Sequence, residues 1–530
     1  MKPHFLAVAL VSLVLSVAGA VPFAQAPGPR PDTVDLAAIQ LIKDEGLQRS
    51  QVMDTAWNLT EVFGPRLTNS PAVRAAAEWA ARRLTGWGLA NVRQETWGPF
   101  GRGWANEMFT ATVVAPQPFP LIAAPRAWTP GTTGPVTADV VAPNIRTDQD
   151  MAAWSGKLGG KIVLLGAPVD VRPLFTPLGR RFTGQELADL ETQPINAGRG
   201  RGGRAGGPAN ADFNQRYMQY LAKEGVVATI EPASGRNDHG AILVTGSPAT
   251  YRDTSPPVVT PQIVIASEHY NRIARLLAGK VPVQLELNVR NRFFDQPLDA
   301  FNLLGEIPGT DRADEVVMLG AHFDSWHAGT GATDNAAGSA VMMEAMRILK
   351  TTGLRMRRTI RLALWTGEEQ GLLGSRAYVK QQFADRDTMA LRPGHAKLAA
   401  YYNMDNGTGA VRGVYLQGNE AVRPVFASWT EPFNNLGMTT LSVRSTMGSD
   451  QVAFDEVGLP GFQFIQDPVE YGTHSHHTNM DVFDRLQAED LMKNAVIVAA
   501  FAYHTANREA LLPRKPLPRP RQASTAAATQ

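Results

Sequence analysis

The stretch from residue 315 to 350 of this 530-residue chain concentrates side chains that suit metal chemistry. An apolar run leads into His322 and Asp324, and a glycine-rich turn then presents Asp334 at the start of a helical pattern. Imidazole nitrogen and carboxylate oxygen are ligands for hard and borderline metal ions. The stretch therefore predicts a strand, a loop of candidate ligands and a helix.

Acidic or histidine residues follow other apolar runs in the same way, namely Glu368 and Glu369 after 360–365, Asp405 after 398–404, and the cluster His474, Ser475, His476 and His477 after 461–465. In open α/β sheets, ligands bind beyond the carboxyl ends of the strands. Taken singly, each residue has a structural alternative, such as a helix N-cap or a hydrogen-bonded core histidine. Their recurrence after four runs favours one shared site.

The elements that must position these residues follow from the pattern of apolar runs. Three N-terminal helices are predicted, two between Asp35 and Phe63 with a break near Gly46, and one with Ser70 as its N-cap and Pro71 at its first position. From about residue 281 to 505, strands and helices alternate, which predicts an α/β core with a mainly parallel sheet.

A separate domain is predicted between these two parts of the core. From residue 128 to 280 the chain consists of short β-branched runs separated by Pro and Gly, with two evident helices, at 213–223 and 267–277. This pattern predicts an inserted, mostly β domain. Its Gly- and Arg-rich stretch at 198–210 favours a mobile loop over nucleic-acid binding, because no aromatic residues are interleaved.

Composition excludes several classes of function. A chain of 530 residues exceeds one ordinary domain, and 44% hydrophobic with 19% charged residues is typical of a folded protein. The net charge of +2 gives no support to a nucleic acid or an anionic membrane as partner. Cysteine is absent, so disulfides, thiol nucleophiles and cysteine metal sites are excluded.

Both termini carry recognisable signals. Residues 1–26 have a basic start, an apolar run and the small-residue site Ala24-Gln25-Ala26, which predict a cleaved secretory signal peptide; an uncleaved anchor is the alternative. We therefore expect a periplasmic or secreted protein without stable membrane insertion after cleavage. The Pro-rich and then polar tail at 513–530 is predicted to be disordered.

Six segments, taken in order, resemble the motifs of the dinuclear-zinc aminopeptidase and glutamate carboxypeptidase family: GAHFDSW, GATDNAAG, LWTGEEQGLLGSRAYV, NMDNG, GSDQVAFDEVGLPGF and HHTNMDVFDRL. The His-His pair of the last segment is similar to the plasma glutamate carboxypeptidase branch. The insert resembles the protease-associated domain that many members carry. The resemblance implies a peptidase domain formed by residues 27–127 and 281–512, interrupted by the insert at 128–280.

The resemblance also implies a role for each candidate ligand. His322 and Asp405 would hold one zinc ion, Glu369 and His477 the other, and Asp334 would bridge the two ions of each chain. His477 is preferred within its histidine cluster because only this histidine begins the HTxxD pattern of the family.

Three further residues are expected to serve catalysis. The resemblance implies that Glu368 is the general base and that Asp324 orients the His322 imidazole. Many relatives have Tyr immediately before the last histidine, where this chain has His476. We hypothesise that His476 donates to the oxyanion.

The activity implied is hydrolysis of a terminal peptide bond of a peptide or dipeptide by a metal-activated water, with removal of an N-terminal residue as the first expectation. A carboxypeptidase or dipeptidase of the plasma glutamate carboxypeptidase type is the alternative. A one-zinc glutaminyl cyclase and a non-catalytic, receptor-like binding protein are further alternatives, although all five ligand positions and the base are filled. Side-chain preference, native metal and oligomeric state stay open at this point.

Overall fold

The structure is a computed structural model that describes residues 32–197, 208–233, 239–247 and 258–521. The predicted signal peptide and most of the Gly- and Arg-rich loop lie outside the described residues. Among the described helices, none is long and apolar enough to cross a membrane.

Two sheets of strands organise the chain. The strands are β1 (Ala90–Pro99), β2 (Gly103–Ala115), β3 (Phe119–Pro120), β4 (Ala123–Pro125), β5 (Val136–Val141), β6 (Ile162–Leu164), β7 (Ala228–Pro232), β8 (Gln262–Ile265), β9 (Gln284–Phe294), β10 (Asp299–Ile307), β11 (Arg312–His322), β12 (Arg358–Trp365), β13 (Leu398–Asn403), β14 (Val411–Tyr415), β15 (Thr440–Ser442) and β16 (Gly461–Gln466).

The α-helices lie between and around these strands. They are α1 (Leu36–Gln48), α2 (Val52–Trp57), α3 (Pro71–Gly86), α4 (Asp148–Trp154), α5 (Gly184–Thr192), α6 (Pro208–Lys223), α7 (Ser267–Ala278), α8 (Ala337–Thr351), α9 (Leu373–Gln382), α10 (Arg423–Thr430), α11 (Gln451–Asp455) and α12 (Ala488–Asn507). Ser70 caps α3 as predicted, since its side chain accepts from Val73 N. The break between α1 and α2 falls after Gln48 rather than near Gly46.

The first sheet has the order β1-β10-β12-β11-β13-β16-β14-β15. Its centre, β12-β11-β13-β16, is parallel, whereas β1, β10 and β14 run antiparallel to the neighbours that join them to it. The α/β prediction is therefore confirmed, with a parallel centre and antiparallel margins. In the register, His322 lies opposite Trp365, and Gly320 lies opposite Asn403. The carboxyl ends of β11, β12 and β13 are thus aligned.

Helices cover both faces of this sheet, and successive side chains of β11 point to opposite faces. Val317 and Leu319 are fully buried in the cluster that contains α1, α8 and α12. Met318 points to the other face, where it packs with Trp365 and with residues of α9 and α11. Such two-sided burial explains why residues 316–321 of this strand are continuously apolar.

The second sheet has the order β3-β2-β9-β5-β6-β7-β8-β4 and contains the strands of the predicted insert. It starts at β2 and ends at β9, so it extends beyond the predicted bounds of 128–280 on both sides. β2 and β9 pair with each other along most of their length, and these pairing partners are distant in sequence. Four helices, α4 to α7, accompany the sheet where only two were evident from the sequence. Its relation to a protease-associated domain stays a prediction.

The predicted disordered tail is only partly described. Residues 513–521 have no helix or strand, yet they contact residues between β14 and β16. Asn419 Nδ2 donates to Pro513 O at 2.7 Å, Lys515 pairs with Asp455, and Arg521 pairs with Glu456. These contacts differ from the expectation of disorder for this part. Residues 522–530 lie outside the described residues.

Candidate metal centre

His322 ends β11 and is almost completely buried, with 1% of its surface exposed. Its Nδ1 donates to the backbone carbonyl of Asp324 at 2.9 Å. This bond leaves Nε2 facing two carboxylates, at 3.1 Å from Asp334 Oδ1 and 3.2 Å from Asp405 Oδ1. An imidazole whose second nitrogen is held by a backbone carbonyl has its metal-binding nitrogen oriented in advance.

Asp334 lies in a tight turn between β11 and α8, and Asp481 holds this turn. The buried Asp481 carboxylate accepts from Thr333 N at 2.6 Å and from Asp334 N at 3.2 Å. Burial raises the pKa of Asp481 to about 7, and the nearby Asp334 carboxylate adds to the effect. Asp481 appeared in the sequence only as part of the HTxxD pattern, and the structure shows that it positions the bridging candidate.

The two oxygens of Asp334 face different histidines. Oδ1 is the oxygen near His322, and Oδ2 lies 3.1 Å from His477 Nε2. His477 Nε2 also lies 2.9 Å from Glu369 Oε2. The structure therefore brings all five predicted ligands together, with Asp334 between the pair His322 and Asp405 and the pair Glu369 and His477.

Glu368 and Asp324 lie beside this cluster. Glu368 is 8% exposed, and its backbone N–H donates to Asp324 Oδ1 at 3.4 Å. Thr68 donates to the other Asp324 oxygen at 2.5 Å. The Asp324 carboxylate is 3.9 Å from His322 Nδ1, so the atom that orients His322 is the Asp324 carbonyl and the carboxylate instead fixes the start of the Glu368 turn.

The electrostatics of the cluster favour a cation. Burial raises the pKa of Glu369 to about 7 despite the nearby His477. Burial opposes charge on His322, yet Asp405 and Glu368 outweigh it and raise the pKa of His322 well above its ordinary value. Glu369 Oε1 is buried and receives no hydrogen bond from the described residues, and Asp334 Oδ2 faces the His477 imidazole at 3.1 Å. Buried carboxylates in excess over imidazoles fit divalent metal ions.

His476 lies at the exposed side of the cluster. Its ring stacks on His477 at 3.8 Å between centroids, and its Nε2 is 3.8 Å from Asp334 Oδ2. The Tyr471 ring packs on His476 at 4.8 Å, and the Tyr471 hydroxyl donates to Asp405 Oδ1 at 3.5 Å. Tyr471 was missed in the sequence, because it precedes His476 by five residues and no pattern marks it.

Asp450 is a second residue that sequence reasoning missed. It is fully buried, and burial raises its pKa to about 7. The Asp450 carboxylate in turn raises the pKa of Glu368, after the larger effects of burial and Asp405, which raise it, and of His322, which lowers it. The GSDQ segment was noted as part of the resemblance, but only the fold brings its aspartate near enough to Glu368 to affect the pKa of that residue.

Comparison with known proteins shows which proteins this chain resembles. The chain is 25% identical to Carboxypeptidase Q of Rattus norvegicus over 459 residues, which cover 86% of this chain and 85% of that protein. It is 34% identical to Leucine aminopeptidase 2 of Trichophyton equinum over 192 residues, 35% of this chain and 36% of that protein. The crystal structure of a Peptidase M28 precursor from Shewanella amazonensis aligns with a TM-score of 0.62 at 25% identity, covering 91% of this chain and 98% of that chain.

A zinc aminopeptidase structure from Bacillus subtilis shares the fold, with a TM-score of 0.53 at 19% identity over 87% of this chain and 95% of that chain. The fold and the cluster of carboxylates and imidazoles at its sheet edge define a metallopeptidase. Residues 302–502 match the profile of Peptidase family M28. Over these residues, the chain is similar to Peptidase family M28.

Proposed function

We propose that the chain is a secreted exopeptidase that binds two zinc ions and removes N-terminal residues from peptides. The observation that carries the proposal is the position of Asp334, which offers one oxygen to His322 and the other to His477. A carboxylate between two separate ligand pairs is suited to bridge two ions. The zinc aminopeptidase from Bacillus subtilis with the same fold supports zinc as the metal.

Each ion would have its own pair of ligands besides Asp334. His322 and Asp405 would hold one ion, and Glu369 and His477 the other. Bound zinc supplies a Lewis acid that lowers the pKa of a water molecule and polarises a carbonyl oxygen. The roles of the surrounding side chains follow from their positions.

Glu368 is the proposed proton carrier. Its carboxylate is buried next to the ligands without being one of the five, and its turn is fixed by the bond from its N–H to Asp324. Burial raises its pKa above the ordinary value, against the opposing charge of His322. A raised pKa makes the carboxylate a better proton acceptor, and the protonated acid can then deliver the proton to the leaving amine.

A carboxypeptidase or dipeptidase activity is the second candidate. The match to rat Carboxypeptidase Q extends over 86% of the chain, whereas the match to Leucine aminopeptidase 2 covers only 35%. Free dipeptides, amino-blocked dipeptides and aminoacyl chromogenic substrates separate the two. An aminopeptidase needs the free amino group, whereas a carboxypeptidase cleaves the blocked dipeptide.

A pair of neighbouring variants tests the metal and the base together. We expect the purified protein to hold two zinc ions by mass spectrometry and to lose activity on chelation. Glu368→Gln should keep both ions and lose about 10²–10⁴-fold in kcat, since it removes only the proton carrier. Glu369→Gln should lose affinity for one ion. Activity that survives chelation and is unharmed by Glu368→Gln would refute the proposal.

A further inference from the structure

We infer that the inserted domain positions the metal-binding His477, so that the insert is a working part of the metal centre. The inference rests on the proposed metal site. The segment 469–479, called here the histidine segment, carries Tyr471, His476 and His477. Backbone bonds from the insert hold this segment at both of its ends.

The end that carries His477 pairs with the insert segment 241–245 as a short piece of sheet. Leu243 and Thr478 form an antiparallel bridge. Val244 N donates to the carbonyl of His477 at 3.1 Å, and Asn479 N donates to Ile242 O at 3.2 Å. The Asn479 side chain adds a third bond, since its Oδ1 accepts from Ile242 N at 2.8 Å.

The insert segment is itself anchored in the insert. Ile242 and Val244 are buried, and they pack with Val264 of β8 and with Ala266. The residues that follow Val244 are bonded to Ala127. Ala127 N donates to Thr245 O at 3.3 Å, and Ser247 N donates to Ala127 O at 2.9 Å. The core of the insert therefore fixes the position of the His477 backbone.

The other end of the histidine segment is held by the loop before α5. Arg180 N donates to Val469 O at 3.0 Å, and Thr473 Oγ1 donates to Leu178 O at 2.7 Å. Arg181 pairs with the buried Asp467 at 3.0 Å just before the segment. The histidine segment thus lies between two parts of the insert that are distant in sequence.

The conformation of His477 explains why such support is needed. Its φ is +62°, in the left-handed region that residues other than glycine rarely adopt. A residue in this region keeps its conformation only when its surroundings enforce it. The bond from Val244 N to the His477 carbonyl, with the Leu243 and Thr478 bridge beside it, provides this enforcement.

Asn479 offers a mild test, because it touches the insert without touching the metal ligands. Asn479→Ala should lower the affinity of the protein for the zinc ion assigned to His477 and Glu369 by about tenfold, as measured by chelator competition. Residues that support metal ligands from outside have effects of this size. The second ion should keep its affinity within twofold. Asn479→Asp keeps the acceptor for Ile242 N and should restore most of the loss. The matched control, Asn419→Ala, removes a bond to Pro513 O at 2.7 Å and should leave both ions unaffected.

Hydrogen exchange supplies a readout independent of any variant. Coupling between two sites is reciprocal, so zinc binding at His477 should slow amide exchange at Ile242 and Val244 in the insert. The peptide covering 239–247 should therefore be better protected in the zinc-loaded protein than in the chelated one, with a control peptide from α7 unchanged.

The outcomes separate this inference from the proposed function. A wild-type protein that binds no zinc refutes both. Two zinc ions in the wild type, combined with unchanged zinc affinity in Asn479→Ala and no protection of 239–247, refute the positioning by the insert alone. An equal loss in Asn479→Ala and Asn419→Ala also refutes it, because the effect would then reflect general destabilisation.

Discussion

Asp334 shows how much a single side chain depends on its neighbours. It is nearly buried, and burial alone would raise its pKa, yet the neighbouring His322 and His477 lower its pKa well below the ordinary value. It therefore stays ionised between the two candidate ligand pairs. Asp481 adds the bonds that hold its backbone. The bridging role proposed for Asp334 therefore depends on the two histidines and on the Asp481 carboxylate.

The oxyanion role proposed for His476 can be tested against Tyr471. We expect His476→Ala to lower kcat by about 10²-fold with little change in KM, as for the loss of one oxyanion donor. Tyr471→Phe should have a smaller effect, because the tyrosine hydroxyl already donates to Asp405 Oδ1 at 3.5 Å. Steady-state kinetics on a chromogenic substrate would measure both.

His474→Ala is the matched control within the same histidine cluster. It should keep kcat within twofold, since the described imidazoles within 4.0 Å of the Asp334 carboxylate are those of His322, His476 and His477. If His476→Ala costs no more than a few-fold in kcat with KM unchanged, the oxyanion role is wrong.

At the scale of elements, the site depends on how closely α8 approaches the end of β13. Asn335 Nδ2 donates to Met404 O at 2.9 Å, and Gly338 N donates to Asn335 Oδ1 at 3.0 Å. A Cβ at Gly338 would lie 2.4 Å from Met404 O, which is a backbone atom and cannot turn aside. The helix can therefore reach the strand only with glycine at this position, and Asp334 and Asp405 flank the contact.

Gly338→Ala should consequently destabilise the protein by about 1–3 kcal/mol, the usual cost of overpacking. It should also weaken zinc binding, because the Asp334 turn and the Asp405 turn would be forced apart. Urea unfolding and chelator competition measure the two effects. Gly86→Ala at the end of α3 is the control, since a Cβ there meets nothing within 4 Å. Equal stability of the two variants would contradict this account of the helix contact.

At the scale of the whole molecule, burial of acidic groups couples stability to metal binding. The pKa values of Glu369, Asp450 and Asp481 are each raised by burial to about 7. Carboxylates with raised pKa values contribute stability that is fully present below their ordinary pKa, near 4, and is lost as the pH rises to about 7. The metal-free protein should therefore lose stability across this range.

Zinc should reverse most of this loss, because bound cations favour the ionised carboxylates and because ligands must be deprotonated to bind. We expect the rise in Tm on zinc loading to be several degrees larger at pH 8 than at pH 5. Thermal unfolding of chelated and loaded protein at both pH values measures it. Asp450→Asn removes one of these titrating groups and should reduce the difference. An equal rise in Tm at both pH values would contradict the linkage.

Much of the catalytic domain could be predicted from sequence, because strand ends are local features. Apolar runs marked β11, β12, β13 and β16, and the acidic or histidine residues after them became the candidate ligands. Parallel strands align their carboxyl ends, so the convergence followed from the strand pattern. The bounds of the insert could not be predicted in this way, because β2 and β9 join its sheet through pairing between distant residues.

By itself, the sequence determined the α/β class, the ligand types and the resemblance to a metallopeptidase family, since these depend on local patterns of residue type. Only the tertiary structure decided which oxygen of Asp334 faces which histidine, that the Asp324 carbonyl rather than its carboxylate holds His322, and that Tyr471 and Asp450 border the site. It also decided that the insert pairs with the segment carrying His477. These relations join residues far apart in the chain, and contacts at such separation exist only after the fold has brought them together.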